Sequence, residues 1–541
     1  MPRKRREIWA ADCETDPFKP GRIPHPFIWG AYEIGTRRYE CFGSEQTFVN
    51  FFSDRKCTVY FHNGGKFDLH YLRPHFKSDE NILLINGRIT RARIGEAEFR
   101  DSYSLIPVPL AKYQKEEFDY AILEADVRSL PENVERIERY LRSDCVNLGN
   151  LLSAFFERYG HALTQAGAAM SYWAKNYNHG KKPRQSAAQF QRYRPYYYGG
   201  RVECFRSGVR DVQFEIVDKN SAYPDAMRAE HPISCEAMQL DELPTDVTDI
   251  QKTFLSLRGV ARGCFPYREQ NGELRFPRDG SERVYHVTGW EYLAALSENA
   301  FDCDKVESIH YFRETVSFRE YIDYFYEQRQ IAKANNDKAG DLFSKLFMNS
   351  CYGGFAMNPE NYHEYLLSSA ERLVDHLAEG YTSYHSWGDG RELLWRQLPV
   401  ETQTRMYKNI ATAASITGYV RAALFRDLRR VQGLIYCDTD SISAEDVSSL
   451  DQGKELGQWK VEAKCDQYAI AGKKLYAMRE AGTGEYKIAC KGVNLTAQEI
   501  IAVARGDTIK YNPAVPTYSI TRTDPRFTSR DVRLTAKPTL Q

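Results

Sequence analysis

The stretch Leu434 to Ala444, LIYCDTDSISA, decides how the rest of the chain is read. An apolar run, Leu434 to Cys437, meets Asp438-Thr439-Asp440, and a second short run, Ser441 to Ala444, leaves it. That pattern predicts two strands joined by a tight acidic turn. Two carboxylates at a hairpin tip repel each other, and a cation such as Mg²⁺, which prefers carboxylate and phosphate oxygens, would relieve them. A solvated Asp-Thr-Asp turn of the sort common in surface hairpins is the plain alternative. The flanking Tyr-Cys and Ser, and acids elsewhere in the chain, weigh against it.

The chain has 541 residues, too many for one ordinary core, so several lobes are expected. Hydrophobic content of 42% and charged content of 27% describe a globular protein, and no apolar run is long enough to span a bilayer. The basic start, Met1 to Arg6, lacks the apolar core of a signal peptide and reads as a nucleic-acid contact or a solvated tail. Basic and acidic residues balance at 73 each, which leaves room for a basic channel beside acidic metal sites. The 12 cysteines form no CxxC pair, so neither zinc nor a disulfide framework is expected, and a cytoplasmic location fits. The 36 tyrosines offer base-stacking surfaces, though most serve packing.

Near the N-terminus, Ile8 to Ala11 reads as a buried strand running into Asp12-Cys13-Glu14-Thr15-Asp16. Residues two apart on a strand face the same side, so Asp12 and Glu14 point together. A second strand, Thr58 to Phe61, opens into His62-Asn63-Gly64-Gly65-Lys66-Phe67-Asp68, with Asp68 at a helix start. Asn133 to Tyr159 has helical periodicity, and Tyr140 and Asp144 lie one turn apart on one face. Four acids, two on one strand and one on each of two helices, can converge on a pair of divalent ions for phosphodiester hydrolysis, with Tyr140 orienting the water.

Further on, Tyr196-Tyr197-Tyr198-Gly199-Gly200-Arg201 follows a polar, basic linker, Lys181 to Ser186. The paired glycines suit a close backbone approach or an ordinary turn. Phe214 to Val217 reads as a strand ending at Asp218, before a turn through Tyr223-Pro224 into a helix. Residues 230–312 carry mixed strands, turns and a helix from Trp290, without a chemical signature. Helices are expected over Phe318 to Asn335 and from Phe343 to Asn349, placing Lys345, Asn349 and Tyr352 on roughly one face, with Lys333 across the helical hairpin. Ile410 to Arg430 is helical, with small residues that allow close packing.

Taken in order, these segments resemble the motifs of family B DNA polymerases, and the chain is similar to the protein-primed branch of that family, closest to those of tectivirus-type phages with linear genomes. The DxE, NxxxFD and YxxxD segments look like Exo I, Exo II and Exo III. They imply an RNase H-like 3′–5′ exonuclease with Asp12, Glu14, Asp68 and Asp144 as metal ligands. Thr15, His62, Asn63, Phe67 and Ser102 look like single-strand contacts, with the register Ser104-Leu105 left open beside Ser102. Tyr197 to Gly200 matches YxGG, a DNA-binding segment, through Tyr197, Gly199 and Gly200. Asp218 to Pro224 matches motif A, with Ala222 where a bulkier residue is usual. Lys345 to Gly353 matches motif B, and the opening stretch matches motif C.

Thr417 to Arg421 resembles the primer-template motif Tx2GR, with Val420 in place of a small residue, and Gly472 to Tyr476 matches KxY. The resemblance implies Asp218 and Asp440 as polymerase metal ligands, with Asp438 beside them. Tyr223, Lys333, Lys345, Asn349 and Tyr352 would hold the nucleotide, and Thr417, Arg421, Lys474 and Tyr476 the DNA. It further implies an α/β and α+β multidomain fold. An exonuclease domain (1–185) precedes a right hand made of palm (186–230 and 403–491), fingers (313–356) and thumb (492–541), with TPR1-like (231–312) and TPR2-like (357–402) insertions.

The implied function is DNA-dependent DNA synthesis on a linear genome by protein priming, with proofreading and strand displacement. Mg²⁺ would serve at both sites, Mn²⁺ substituting. The implied partners are primer-template DNA, dNTPs, a terminal protein and a single-stranded DNA-binding protein, with no membrane, the chain acting as a monomer in the host cytoplasm. The alternatives are a family B polymerase using ordinary primers, a stand-alone exonuclease whose second half grips DNA, and a non-catalytic replication-assembly protein.

Overall fold

The computed structural model describes residues 6–113, 117–181, 183–358, 363–398, 408–522 and 524–538. The basic residues Met1 to Arg5, Lys182 of the linker, and residues 359–362 and 399–402 of the second insertion lie outside the described residues.

The N-terminal lobe is built on a mixed sheet. Glu7–Thr15 is buried almost throughout, as an interior strand must be, and lies parallel to Cys57–Phe61, which lies parallel to Ala97–Asp101. Pro26–Glu33 pairs antiparallel on the other side of Glu7–Thr15. The helix Pro131–Tyr159 starts with Pro at its first turn, where the missing N–H costs nothing, and packs over this sheet. Gly30 makes the approach possible, since a Cβ there would crowd Leu141 and Cys145.

The second half is organised by a seven-stranded antiparallel sheet. Its order is Tyr486–Cys490, Leu475–Glu480, Trp459–Gly472, Gly208–Lys219, Ser441–Asp446, Gln432–Asp438 and Val202–Cys204. The helix Ile410–Arg430, capped by the Asn409 side chain on the N–H groups of Ala411 and Thr412, contributes to the core under this sheet through Leu424 and Leu428. The helices Arg319–Ala334 and Lys338–Phe355 form an antiparallel pair whose aromatic faces share one core with Pro131–Tyr159 and Gln165–Tyr177. These match the helical periods in the sequence, the second helix beginning five residues earlier than expected because Asp337 caps it through the Gly340 N–H at 2.9 Å.

Residues 231–312 form a four-stranded antiparallel sheet, Met238–Leu240, Phe301–Tyr311, Thr253–Ala261 and Glu282–Thr288, with the helix Gly289–Ser297 at its end. The short pair Glu230–Pro232 and Thr315–Ser317 closes its base.

Two arrangements differ from the sequence reading. The segment after the second helix, expected as an insertion of its own, joins the first lobe: strands His363–Ser368, Glu392–Gln397 and Thr382–Ser386 enclose the short helix Leu373–Ala378 and extend the N-terminal sheet to ten strands. The join pairs Tyr365 with Ile82, and Leu367 and Leu393 enter the same core as Ile82. Sequence periodicity carries no sign of a partner strand so remote. The C-terminal part, expected as a thumb over 492–541, divides between the two sheets. Ala497–Arg505 packs on the second sheet, and the chain then returns to the first lobe, where Ile520 is buried in the core. Arg73 donates to the carbonyls of Ser519 (3.2 Å) and Arg522 (2.6 Å), and Trp387 Nε1 donates to Ile520 O at 3.1 Å.

All 12 cysteines are free thiols. Among the described residues, no helix is long and apolar enough to cross a membrane.

Ile520→Ala removes apolar volume from a closed core, at a cost of about 2–5 kcal/mol. Because the segment is held by few elements, the expected outcome is local: amide hydrogen exchange over 515–522 accelerates while exchange in Gly208–Lys219 stays at the parent rate.

Candidate active sites

The first site lies at the end of the strand Glu7–Thr15. Asp12 and Glu14, on alternate strand positions, meet Asp144 from the long helix, and one oxygen of each lies within 4.8 Å of the others. Asp68 arrives by the turn His62 to Phe67. Gly64 and Gly65 permit that turn, because a Cβ on either would overlap Phe61 or the Ile89 carbonyl. Asp68 stands beside the trio rather than within it, its Oδ1 accepting from the Cys13 thiol at 3.1 Å.

Burial raises the Asp12 carboxyl well above its ordinary range, and the charges of Asp68, Glu14 and Asp144 add to the shift. Burial likewise brings Asp68 to about 6, against the lowering effect of the Cys13 hydrogen bond. These are like charges confined in a low-dielectric cleft, where a cation would relieve them.

The cleft measures about 1000 Å³, and Thr15, His62, Asn63, Phe67 and Tyr140 all line it. Tyr140 stacks on Phe118 with centroids 4.0 Å apart, and its hydroxyl is 3.1 Å from that of Tyr120. Asn63 takes a left-handed backbone conformation, and its Oδ1 accepts from Arg88 at 2.8 Å. Ser102 departs from expectation. It is fully buried behind His62, donating to Phe61 O at 3.0 Å and lying 3.0 Å from His62 Nδ1, so it supports the cleft instead of facing it. In the second register, Ser104 is half-buried with its Oγ 3.3 Å from Thr90 Oγ1, and Leu105 is in the core. Two contributors had no sequence signal: Phe18, edge-on to Phe67 at 5.4 Å, and residues Val515 to Tyr518 from the C-terminal segment.

The second site is the acidic turn. Gln432–Asp438 and Ser441–Asp446 pair as the sequence predicts, with Thr439 in the left-handed region between the two aspartates. Ser441 sits opposite Asp218 on the neighbouring strand, and the Lys219 N–H donates to Asp440 O at 2.7 Å. Two residues separated by more than half the second half of the chain are thereby fixed side by side. Burial, then the Asp440 charge, brings Asp218 to about 6. Asp440 is raised by burial and by Asp438. Asp438 has a different partner, the Lys474 ammonium 2.7 Å away. The KxY segment therefore lies directly over the turn, with Tyr476 edge-on to Tyr436 at 5.0 Å.

Beside this pair, Tyr223 and Tyr352 stack with centroids 4.6 Å apart and rings 1° from parallel. Lys345 and Lys333 are exposed, and Lys345 is near enough to Asp218 to favour its charged form. Asn349 is exposed and donates to Lys345 O at 2.9 Å. Tyr197 is half-buried with Arg194 over its ring, and Gly199 is exposed. At Gly200 a Cβ would overlap the Thr439 side chain, so this glycine is required by the turn it abuts.

Thr417 and Arg421 are not surface contacts. Thr417 is buried and donates to Ala414 O at 3.1 Å, while Arg421, 2% exposed, pairs with Glu291. Small neighbours on the helix draw these side chains inward. Glu291, which forms a capping box with Thr288, lies in a stretch that carried no chemical signature in the sequence.

With this geometry in place, likeness to known proteins is informative. The profile of the family "DNA polymerase type B, organellar and viral" matches residues 110–387. The chain belongs to that family, the family B DNA polymerases. Within it, the chain is 36% identical over 519 residues to the DNA-directed DNA polymerase of Enterobacteria phage PRD1, covering 92% of this chain and 89% of that one. A probable DNA polymerase of Neurospora intermedia is 29% identical over 309 residues, covering 52% of this chain and 30% of that one. In fold, the chain matches phi29 DNA polymerase solved with primer-template DNA (TM-score 0.74, 18% identity, 98% of this chain and all of that one), and its multidomain architecture is that of the polymerase.

A carboxyl that holds its proton in the folded state up to about 6, against an ordinary 3.8, binds more protons folded than unfolded in that window. Stability from Asp218 is therefore lost as pH rises from about 4 to about 6. In metal-free buffer, Asp218→Asn is expected to raise the thermal midpoint above pH 6 and leave it unchanged below pH 4, as read by differential scanning fluorimetry.

Proposed function

We propose that this polymerase replicates a linear DNA by protein priming, edits its product 3′–5′, and displaces the strand ahead. The observation that carries the synthetic part is the side-by-side placement of Asp218 and Asp440 across one ladder. The trio Asp12, Glu14 and Asp144 supports the editing part.

Both donor sets are all oxygen, which fits a hard divalent cation, Mg²⁺ or Mn²⁺ in its place. Asp218 and Asp440 would hold it at the polymerising site; Asp12, Glu14 and Asp144, with Asp68 beside them, would hold it at the editing site. Such ions lower the pKa of an attacking hydroxyl or water and neutralise charge on the leaving oxygens.

The side chains divide the remaining work. Lys345 and Lys333 receive the triphosphate of a dNTP, Asn349 fixes the pocket, and the Tyr223–Tyr352 stack forms its floor. There Tyr352 meets the base and Tyr223 excludes a ribose 2′-hydroxyl. Lys474 neutralises Asp438, which keeps that carboxylate from competing with Asp440, and Tyr476 lies at the primer terminus. Tyr197, Gly199 and Gly200 grip the primer-template, with Thr417 and Arg421 supporting them from beneath. In the other cleft, Thr15, His62, Asn63 and Phe67 hold an unpaired primer end and Tyr140 orients the water.

The sheet of residues 231–312 offers the face for a terminal protein whose side-chain hydroxyl starts the chain. The segment 363–397, fused to the editing lobe, supports processivity and strand displacement. A single-stranded DNA-binding protein would cover the displaced strand.

Primer extension on a long single-stranded circle tests these assignments. Asp218→Ala and Asp440→Ala are each expected to cut incorporation by roughly a thousandfold or more while primer shortening without dNTPs persists. Asp12→Ala and Asp144→Ala should do the reverse. Parent protein should extend past one full circle. Incorporation surviving in Asp218→Ala would remove the synthetic reading.

A further inference from the structure

A buried ion pair joins the insertion 231–312 to the segment beside the acidic turn. Glu291 is 1% exposed and Arg421 2% exposed. Glu291 Oε1 accepts from Arg421 Nε at 2.8 Å, and its Oε2 accepts from the backbone N–H and the hydroxyl of Thr288 at 3.0 and 2.9 Å. On its other side, Arg421 Nη1 donates to the carbonyls of Tyr198 (2.6 Å) and Gly199 (3.1 Å). The guanidinium therefore bridges a helix start in the insertion and the backbone of Tyr197 to Gly200.

The chain of contacts continues in both directions. Gly418, one helical turn before Arg421, is where Thr288 presses against the helix Ile410–Arg430, and a Cβ there would overlap Thr288. Past Gly199, Gly200 abuts the Thr439 side chain, and the Thr439 N–H donates to Arg201 O at 2.7 Å. Every link is a direct contact, and Gly199 is the one exposed residue among them.

We propose that Glu291 is a positioning residue for the primer-gripping segment Tyr197–Gly200, acting through Arg421, so that the seating of the insertion sets the approach of that segment to the acidic turn. The planar fork of Arg421 reaches a carboxylate and two carbonyls in fixed geometry, which a point charge cannot do. A buried pair of this kind adds little net stability over an apolar pair, so its use lies in geometry. The inference rests on the reading of Tyr197–Gly200 as a primer-template contact.

The test uses full-length protein with the double variant Glu291→Gln/Arg421→Met. It removes both buried charges together, keeps an acceptor for the Thr288 N–H, and takes the donor away from the Tyr198 and Gly199 carbonyls. Primer-template affinity is read by fluorescence anisotropy, folding by the thermal midpoint, and incorporation as kcat against KM for primer-template. The expected result is a midpoint close to the parent, with Kd and KM for primer-template raised roughly tenfold and kcat at saturation within about twofold. Shortening of a free single strand stays at the parent rate. Arg421→Lys keeps a partner for Glu291 without the fork; it reports the same weakening if the double variant fails to fold.

Tyr197→Ala separates the two ways of failing. If it weakens primer-template binding while both Arg421 variants bind as the parent does, the positioning role is overturned and the grip stands. If Tyr197→Ala itself binds as the parent does, the grip is overturned and the positioning role with it. A fall in kcat, midpoint and strand shortening together would make Glu291–Arg421 a structural pair only.

Discussion

Repulsion between carboxylates drawn into poorly solvated clefts is the constraint on which the molecule turns. Neither acidic cluster is stable by itself: burial raises Asp12, Asp68, Asp218 and Asp440, and neighbouring acids raise all four further. The backbone holds them regardless. A β-ladder fixes Asp218 beside Asp440, and a strand and a long helix fix Asp12, Glu14 and Asp144. The cost is met by cores elsewhere, rich in aromatic side chains and fully closed. An all-oxygen donor set that repels itself when empty is well suited to a divalent cation.

The lobe that carries the first cleft is built partly from the second half of the chain. The sheet that carries Asp12 and Glu14 is completed by strands from residues 363–397, and the wall of its cleft by Val515 to Tyr518. The lobe that begins the chain is thus finished by two segments from far downstream.

Much of this was legible in the sequence, and the reason is local. The apolar runs on either side of Asp438-Thr439-Asp440 predict a hairpin, and the apolar run Thr58 to Phe61 predicts the strand that leads to Asp68 at a helix start. Lys345, Asn349 and Tyr352 share a face because a helix has 3.6 residues per turn. What stayed hidden depends on partners remote in sequence. Nothing near His363 announces Ile82, and nothing near Glu291 announces Arg421. Ser102 was misplaced because spacing cannot tell a hydroxyl facing a cleft from one facing a carbonyl behind it. Arg421 has the same lesson: a basic residue in a DNA-contact pattern lies buried, gripping the protein's own backbone.

The claim that two separate carboxylate nests each hold divalent ions is tested most directly by Mn²⁺ titration under electron paramagnetic resonance, without DNA or nucleotide. The account predicts two populations of bound ion, one lost in Asp218→Asn and the other in Glu14→Gln, each variant leaving the opposite population intact. Binding unchanged in both variants, or abolished entirely by either one, would contradict it.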